Sequence, residues 1–201
     1  MNIRELRFVT AVAVIGLSAF AAYRGAEIVR FSLAMGSLKT ATRAATLRSW
    51  YSVPGLGQIA REAALPRELD ATSSEELTRQ YDALTDYLSV TPAASLQWLM
   101  LAAARLLLGE TNDSVIAAYQ MSVVTGPNEN DVIVERSKFG LSIWDDLPPE
   151  LKQREIDDLT LGFFSGPDKE NLRKALAAMS ASAREEVLGA LPRQRLAALG
   201  I

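Results

Sequence analysis

The chain has 201 residues and contains neither cysteine nor histidine. These absences exclude disulfides, zinc and haem sites of the usual kinds, nucleophile–base pairs built on cysteine or histidine, and Ser-His-Asp triads. The net charge of −3 conceals an asymmetry, because residues 1–50 carry seven basic and two acidic side chains, whereas residues 51–201 carry fourteen basic and twenty-two acidic ones. A basic N-terminal region beside an acidic body suits a membrane surface and argues against nucleic-acid binding, which needs a basic face on the folded domain.

The N-terminal region contains an uncharged, mostly apolar run of sixteen residues, 8–23, between Arg7 and Arg24. As a helix this run is about 24 Å long, slightly shorter than the roughly 30 Å hydrocarbon core of a bilayer. Flanking arginines can extend to the headgroups, and an aromatic residue at the end suits the interface. The pattern therefore predicts a single membrane span that includes Phe8, Val14, Ile15, Leu17, Phe20 and Tyr23.

Two other interpretations of this run stay open. Arg4 and Arg7 followed by Ala19-Phe20-Ala21 also fit a cleaved signal peptide. Thr10, Gly16 and Ser18 make the run less apolar, as in a buried helix of a soluble protein.

Two rules disagree on the orientation of a membrane span here. A strict count of basic residues under the positive-inside rule places the C-terminal part in the cytoplasm. A short N-terminal tail before one apolar segment is instead the layout of an export signal. We expect the orientation of an export signal, with the N-terminus in the cytoplasm and the C-terminal domain exported.

Composition and turn signals divide the chain into four segments. Residues 1–24 form the predicted membrane anchor, and residues 25–51 form an amphipathic, membrane-proximal segment. This segment either extends the membrane helix, lies on the headgroups or packs on the domain. Residues 52–74 read as a linker containing a short helix that ends near Ala64, because Pro and Gly cluster at 54–57. Residues 75–201 form a helical domain.

Helix signals follow one another through the C-terminal domain. Ser73-x-x-Glu76 and Ser182-x-x-Glu185 fit capping boxes, and Pro at 148–149 and 167 suits the first turn of a helix. The run 94–108 is apolar nearly all round and predicts a central helix, too short for a second span. No stretch alternates in the way a strand does, so the predicted fold class is all-α.

A possible repeat lies between Pro92 and Pro127, an offset of 35 residues that encloses a helix, a turn at Gly109 and a second helix. A tetratricopeptide (TPR) unit has 34 residues and the same layout. Tyr119 takes the aromatic place of the second helix, although the full signature is not intact. Helices starting near Asn128 and Pro148 would form a second, divergent pair. The sequence thus predicts a TPR-like domain, with an ordinary helical bundle as the alternative.

Candidate site residues are few, and the sequence predicts no catalytic, cofactor-binding or metal-binding residue and no enzyme. Asp145-Asp146 and Asp157-Asp158 could serve acid–base chemistry on sugars, but helix caps and exposed faces explain such pairs better. Five residues are candidates for binding a partner, with core packing or core ion pairing as the alternative for each: Trp98, Arg105, Tyr119, Arg136 and Trp144.

Part of the domain, roughly residues 90–150, resembles a known family. The matching positions are Thr91-Pro92, Trp98, Ala102, Ala118, Ser122, Gly126-Pro127-Asn128-Glu129, Val132, Arg136, Leu141, Trp144 and Leu147. They look like the VpsP-like proteins, small single-pass accessory proteins encoded in bacterial exopolysaccharide and O-antigen loci. The resemblance implies a periplasmic helical module on the bacterial inner membrane, with no catalytic residues.

The sequence therefore predicts a non-catalytic, membrane-anchored scaffold or assembly protein of a bacterial envelope machine, with protein partners. The pathway that the resemblance implies is exopolysaccharide or O-antigen synthesis or export, although nothing in the residues supports direct polysaccharide binding. The alternative is a small accessory subunit of another integral membrane complex, packed through its membrane helix, where small Gly16, Ser18 and Ala19 suit close helix contacts.

Overall fold

The computed structural model describes residues 3–37 and 46–201, with side chains described for 13–33 and 46–201. Helices, turns and loops account for these residues, and no strand occurs among them, which confirms the predicted all-α class. The chain divides into two compact units, Met1–Pro66 and Arg67–Ile201. The division falls inside the segment 52–74 that the sequence predicts as a linker.

The first unit contains one long helix and one short one. Helix α1 spans Ile3–Ser37, a helical turn follows at 46–48, and helix α2 spans Gly57–Ala64. At 1.5 Å per residue, α1 is roughly 52 Å long. Residues 25–37 thus continue the N-terminal helix without a break.

A small apolar core forms between the second half of α1 and residues 47–64. Its buried members are Phe31, Leu47, Leu56 and Ala60. The ring of Trp50 meets that of Phe31 edge-on, with 5.6 Å between the centroids. Since Leu56 and Ala60 are buried here, the short helix of the predicted linker is part of a packed unit.

No helix within the described ranges is both long enough and apolar enough to cross a membrane. The predicted span begins at Phe8, and its side chain lies outside the described residues, as do those of residues 9–12.

The second unit consists of eight α-helices and one 3-10 turn in the range 67–201. In chain order they are α3 Ser74–Leu88, α4 Ser95–Leu107, α5 Asn112–Thr125, α6 Asn130–Ser142, the 3-10 turn Trp144–Asp146, α7 Pro149–Leu161, α8 Gly166–Ala178, α9 Ala181–Ala190 and α10 Arg193–Leu199. Helix α4 packs on α3, α5 and α6, and helix α6 packs on α7 and α8. The neighbours α4–α5 and α6–α7 are the two helix pairs that the sequence predicts.

Helix α4 has the central position predicted for it, but it is not covered on every side. Leu99, Leu101 and Ala102 are buried, whereas Leu106 and Leu107 are 40% and 53% exposed. Gly109 ends the helix region with a left-handed backbone, at φ +73°. Such a conformation is open to glycine and strained for most other residues, which explains the tight turn between α4 and α5.

The helix starts confirm half of one predicted capping box and correct another. The Ser73 hydroxyl accepts a hydrogen bond from the Glu76 backbone N–H at 3.1 Å, whereas the Glu76 carboxylate contacts Gln80 and Arg79. The predicted capping box at Ser182 and Glu185 is wrong. Ser180 caps α9 by accepting from the Ala183 N–H at 3.2 Å, because the helix begins at Ala181 and Ser182 already lies in its first turn.

The small core of the first unit gives a direct test. We expect Phe31→Ala to destabilise the packing of residues 47–64 by about 3 kcal/mol, because it removes the aromatic ring from a core with few buried members. Leu33→Ala is the matched control, since Leu33 is 66% exposed on the same helix. Hydrogen exchange of the α2 amides measures the difference. Equal protection in the two variants would contradict the described core.

Candidate functional site

The first candidate surface is the apolar exterior of α1. Over residues 13–33, where side chains are described, Phe31 alone is buried, and every side chain from 13 to 23 is exposed. We call the following side chains the α1 apolar surface; each is between 50% and 69% exposed: Val14, Ile15, Leu17, Phe20, Tyr23, Ile28, Val29 and Leu33. The set contains all the predicted span residues except Phe8, whose side chain is not described.

The apolar residues of α1 surround the helix and do not form one stripe. A helix of this kind is covered on several sides by lipid or by other helices, whereas a surface helix of a globular protein hides one face only. Solvent exposure of large apolar side chains on this scale marks an interaction site. Among the described residues of the first unit, Phe31 is the one large apolar side chain of α1 that is buried.

A polar cluster begins where the predicted span ends. The Arg24 guanidinium pairs with Glu27 at 2.8 Å and donates to the Pro54 carbonyl, and the Tyr23 hydroxyl donates to Glu27 at 3.0 Å. These contacts tie α1 to the loop before α2.

The five predicted partner-binding residues fall into two groups. Tyr119, Arg136 and Trp144 are at most 3% exposed, so their side chains meet core neighbours. Trp98 and Arg105 are half-buried on α4. The Trp98 indole donates to the Pro92 carbonyl at 2.8 Å, at the start of its own helix.

Arg105 and Trp144 both have charged neighbours. Arg105 donates to the Ser114 carbonyl at 2.7 Å and lies 3.6 Å from Glu110, and both side chains are partly exposed. The Trp144 indole donates to Glu186 at 3.0 Å, and this hydrogen bond is the main reason that the pKa of Glu186 is lowered. The structure brings only Tyr119 and Arg136 of the five into one network.

Arg136 lies at the centre of this buried network. Its Nε donates to Asp158 at 2.6 Å, and one terminal nitrogen donates to the carbonyls of Ser122 and Gly126, at 3.2 Å each. The Ser122 carbonyl lies in the last turn of α5 and also accepts the Gly126 backbone N–H, and Gly126 is the residue that caps the helix. Asp158 also pairs with Arg154 at 2.9 Å. One guanidinium from the middle of α6 therefore joins the C-terminal end of α5 to α7.

Glu155 and Tyr119 form the second half of the network. The Tyr119 hydroxyl donates to the Glu155 carboxyl at 2.7 Å, and both side chains are fully buried. Gly140 on α6 faces this bond, and a Cβ at that position would lie 2.7 Å from the Tyr119 hydroxyl and closer still to the carboxyl. Glycine is therefore required at 140 for the pair to fit.

Burial raises the pKa of Glu155 from its ordinary 4.5 to about 8, and the neighbouring Asp158 charge adds to this. The Tyr119 hydrogen bond and the Arg136 charge act in the opposite direction. Glu155 is thus a neutral carboxylic acid at pH 7. Because a raised pKa in a buried group also arises from structural networks, and because no solute reaches this carboxyl without opening the helices, we assign it a structural role.

Sequence reasoning missed the partners in this network. Asp157-Asp158 reads as a surface pair, but Asp158 is 1% exposed. A signal was present, because Leu151, Glu155 and Asp158 recur at helical spacing on one face of α7, together with the buried Leu159. The preceding helix, α6, has Arg136 among its own apolar residues. Acidic residues in the apolar stripe of one helix and an arginine in that of its neighbour indicate a buried ion pair.

The neutral Glu155 predicts a pH dependence of stability. An acid whose folded-state pKa lies above its unfolded value stabilises the fold at low pH, and this contribution is lost as the pH rises from about 4.5 to about 8. The difference corresponds to roughly 5 kcal/mol at most. We expect Glu155→Gln to flatten the stability profile over this window in urea unfolding measured at several pH values. Glu185→Gln, at an exposed position, is the control and should leave the slope unchanged.

Gly140 provides a second test of the network. Glycine to alanine in a helix normally stabilises by up to about 1 kcal/mol. We expect Gly189→Ala to follow this rule, because a Cβ there meets open space. Gly140→Ala should instead destabilise by at least about 2 kcal/mol, because the new methyl group displaces a buried hydrogen-bonded pair. Thermal unfolding of the two variants measures the contrast, and stabilisation by both would refute the described packing.

Comparison of the chain with protein-family models, with curated proteins and with solved structures finds no match.

Proposed function

We propose that the chain is a non-catalytic, membrane-anchored scaffold, in which α1 is embedded in a bilayer and the helical unit 67–201 binds protein partners. The main support for the proposal is the exposure of the α1 apolar surface. Its large side chains are exposed all round the helix, and lipid is the environment that covers such a helix on every side.

Charge supports the same arrangement. Residues 1–66 carry eight basic and three acidic side chains, whereas residues 67–201 carry thirteen basic and twenty-one acidic ones. Basic residues next to a membrane segment are attracted to anionic headgroups, and an acidic surface stays in water away from them. The separation of charge between the two units suits a protein with one unit at the lipid and the other directed towards soluble or membrane-bound partners.

The resemblance of residues 90–150 to VpsP-like proteins gives the proposal a more specific form. On that basis the scaffold belongs to a bacterial envelope machine for exopolysaccharide or O-antigen synthesis or export, with α1 in the inner membrane and the helical unit in the periplasm. The helix pairs α4–α5 and α6–α7 are the elements that we propose as a TPR-like partner-binding module. Helix-in-groove contact is the mode by which such modules take partners.

A second candidate function has support from one observation. Gly16 lies on the exposed half of α1, and a Cβ built there meets nothing within 4 Å. Glycine and the nearby Ser18 and Ala19 allow another helix to approach the backbone closely. In this alternative the chain is an accessory subunit of another integral membrane complex. Detergent extraction after crosslinking separates the two, because only the alternative requires an integral partner fixed along α1.

Membrane fractionation of the full chain tests the proposal. We expect the wild type to remain in the membrane pellet after a carbonate wash and to be released by detergent. A lysine near the centre of a span costs about 3 kcal/mol. The double variant Ile15→Lys, Leu17→Lys should therefore lose its membrane-bound fraction.

The matched control is the double variant Val90→Lys, Val124→Lys. Both valines are more than half exposed, but they lie in the second unit. This variant should fractionate like the wild type. A wild-type chain that stays in solution without lipid or detergent would overturn the proposal, as would equal loss of membrane binding in both double variants.

A further inference from the structure

One side of α1 beyond the uncharged run packs against the rest of the first unit. Arg24 and Glu27 are half-buried and Phe31 is buried, and their spacing of three and four residues places them on the same side of the helix. The partners of this side lie in residues 47–64, which contain the other buried members of the small apolar core. Residues 47–64 are therefore held beside α1 from the level of Arg24 onward.

Two guanidinium groups lie against the loop that precedes α2. Arg24 donates to the Pro54 carbonyl, and a Cβ built on Gly55 would lie 3.5 Å from the Nη2 atom of Arg24. A Cβ built on Gly57 would lie 3.3 Å from the Nη1 atom of Arg61. The loop thus gathers positive charge at the level where the uncharged run of α1 ends.

The charge of this part of the first unit is positive. In the ranges 24–33 and 46–64, where side chains are described, four arginines stand against two glutamates. We call Arg24, Arg30 and Arg61 the basic collar. Arg30 is exposed, and the other two are half-buried beside the loop. An anion from outside the unit can therefore balance the remaining charge of the collar.

The basic collar lies within reach of a bilayer surface when the run 8–23 is in the hydrocarbon. Arg24 is the first residue after the run, the loop holds Arg61 beside it, and Arg30 is about 9 Å further along the helix axis. Side chains on a helix lean towards its N-terminus, so Arg24 and Arg30 lean towards the bilayer. Attraction to an anionic surface acts over about one Debye length, roughly 10 Å at 0.1 M salt.

The distribution of the collar around α1 favours lipid over a protein partner. At about 100° per residue, Arg30 lies roughly 120° around the helix from Arg24. A protein partner contacts one side of a helix, whereas headgroups surround a membrane helix on every side. Tyr23, which is 62% exposed, and the half-buried Trp50 and Tyr51 add aromatic side chains of the kind that suit a headgroup region.

We propose that the basic collar binds the phosphate groups of anionic phospholipids, so that the first unit prefers these lipids to zwitterionic ones. A guanidinium donates two parallel hydrogen bonds to a phosphate, and the net negative charge of the headgroup adds an attraction that a zwitterionic headgroup lacks. This preference rests on the proposed function, because α1 must be embedded in a bilayer for the collar to reach the headgroups.

Electron spin resonance of the full chain in phosphatidylcholine vesicles measures the preference. Trace amounts of spin-labelled phosphatidylglycerol or phosphatidylcholine report the fraction of each lipid that is immobilised at the protein. We expect the immobilised fraction of phosphatidylglycerol to exceed that of phosphatidylcholine at least about twofold. Raising the salt from about 0.1 M to about 1 M shortens the Debye length to about 3 Å and should bring the two fractions close together without any substitution.

Matched pairs of substitutions test the collar residues. Arg30→Gln with Arg61→Gln should bring the ratio of the two immobilised fractions close to one, whereas Arg30→Lys with Arg61→Lys keeps the charge and should retain most of the preference. Arg184→Gln with Arg193→Gln is the control, because both arginines are exposed in the second unit, and it should leave the ratio unchanged. Circular dichroism confirms that each variant is folded.

Each failure has a distinct meaning. Vesicles in which neither lipid is immobilised overturn both the membrane proposal and the lipid preference, because α1 is then outside the bilayer. Equal immobilised fractions of the two lipids around an inserted wild-type chain overturn the preference alone. A folded Arg30→Gln, Arg61→Gln variant that keeps the wild-type ratio, or a control variant that loses it to the same extent, overturns the assignment to the collar.

Discussion

The buried ion pair between Arg136 and Asp158 fixes the arrangement of the second unit. Removing one partner of such a pair leaves an uncompensated charge in the interior and costs about 3–5 kcal/mol. The same guanidinium donates to two carbonyls at the end of α5, so it connects α5, α6 and α7. A pair of this kind adds less to net stability than apolar residues of the same volume, so we interpret its role as specifying a single packing.

The two units differ in how far their helices are buried. In the second unit, even charged groups are buried because neighbouring helices supply their partners. In the first unit, Phe31 alone among the large apolar side chains described for α1 is buried, and the others are exposed along the helix. A helix that a domain does not cover depends on an outside environment for its stability. The membrane proposal follows from this contrast, and it needs no assumption about the partner of the second unit.

Local signals in the sequence were enough to place most helices. Proline at 149, the serine cap at 73 and glycine at 109 act within one turn of the chain, and the structure has helix boundaries at all three. Tertiary detail was harder to predict. The sequence allowed the prediction that Arg136 pairs with a core carboxylate. Whether Asp157 or Asp158 is that carboxylate depends on how α7 is rotated about its axis against α6. The exposure of Phe163 is set by Asn130 and Arg195, more than thirty residues away on either side.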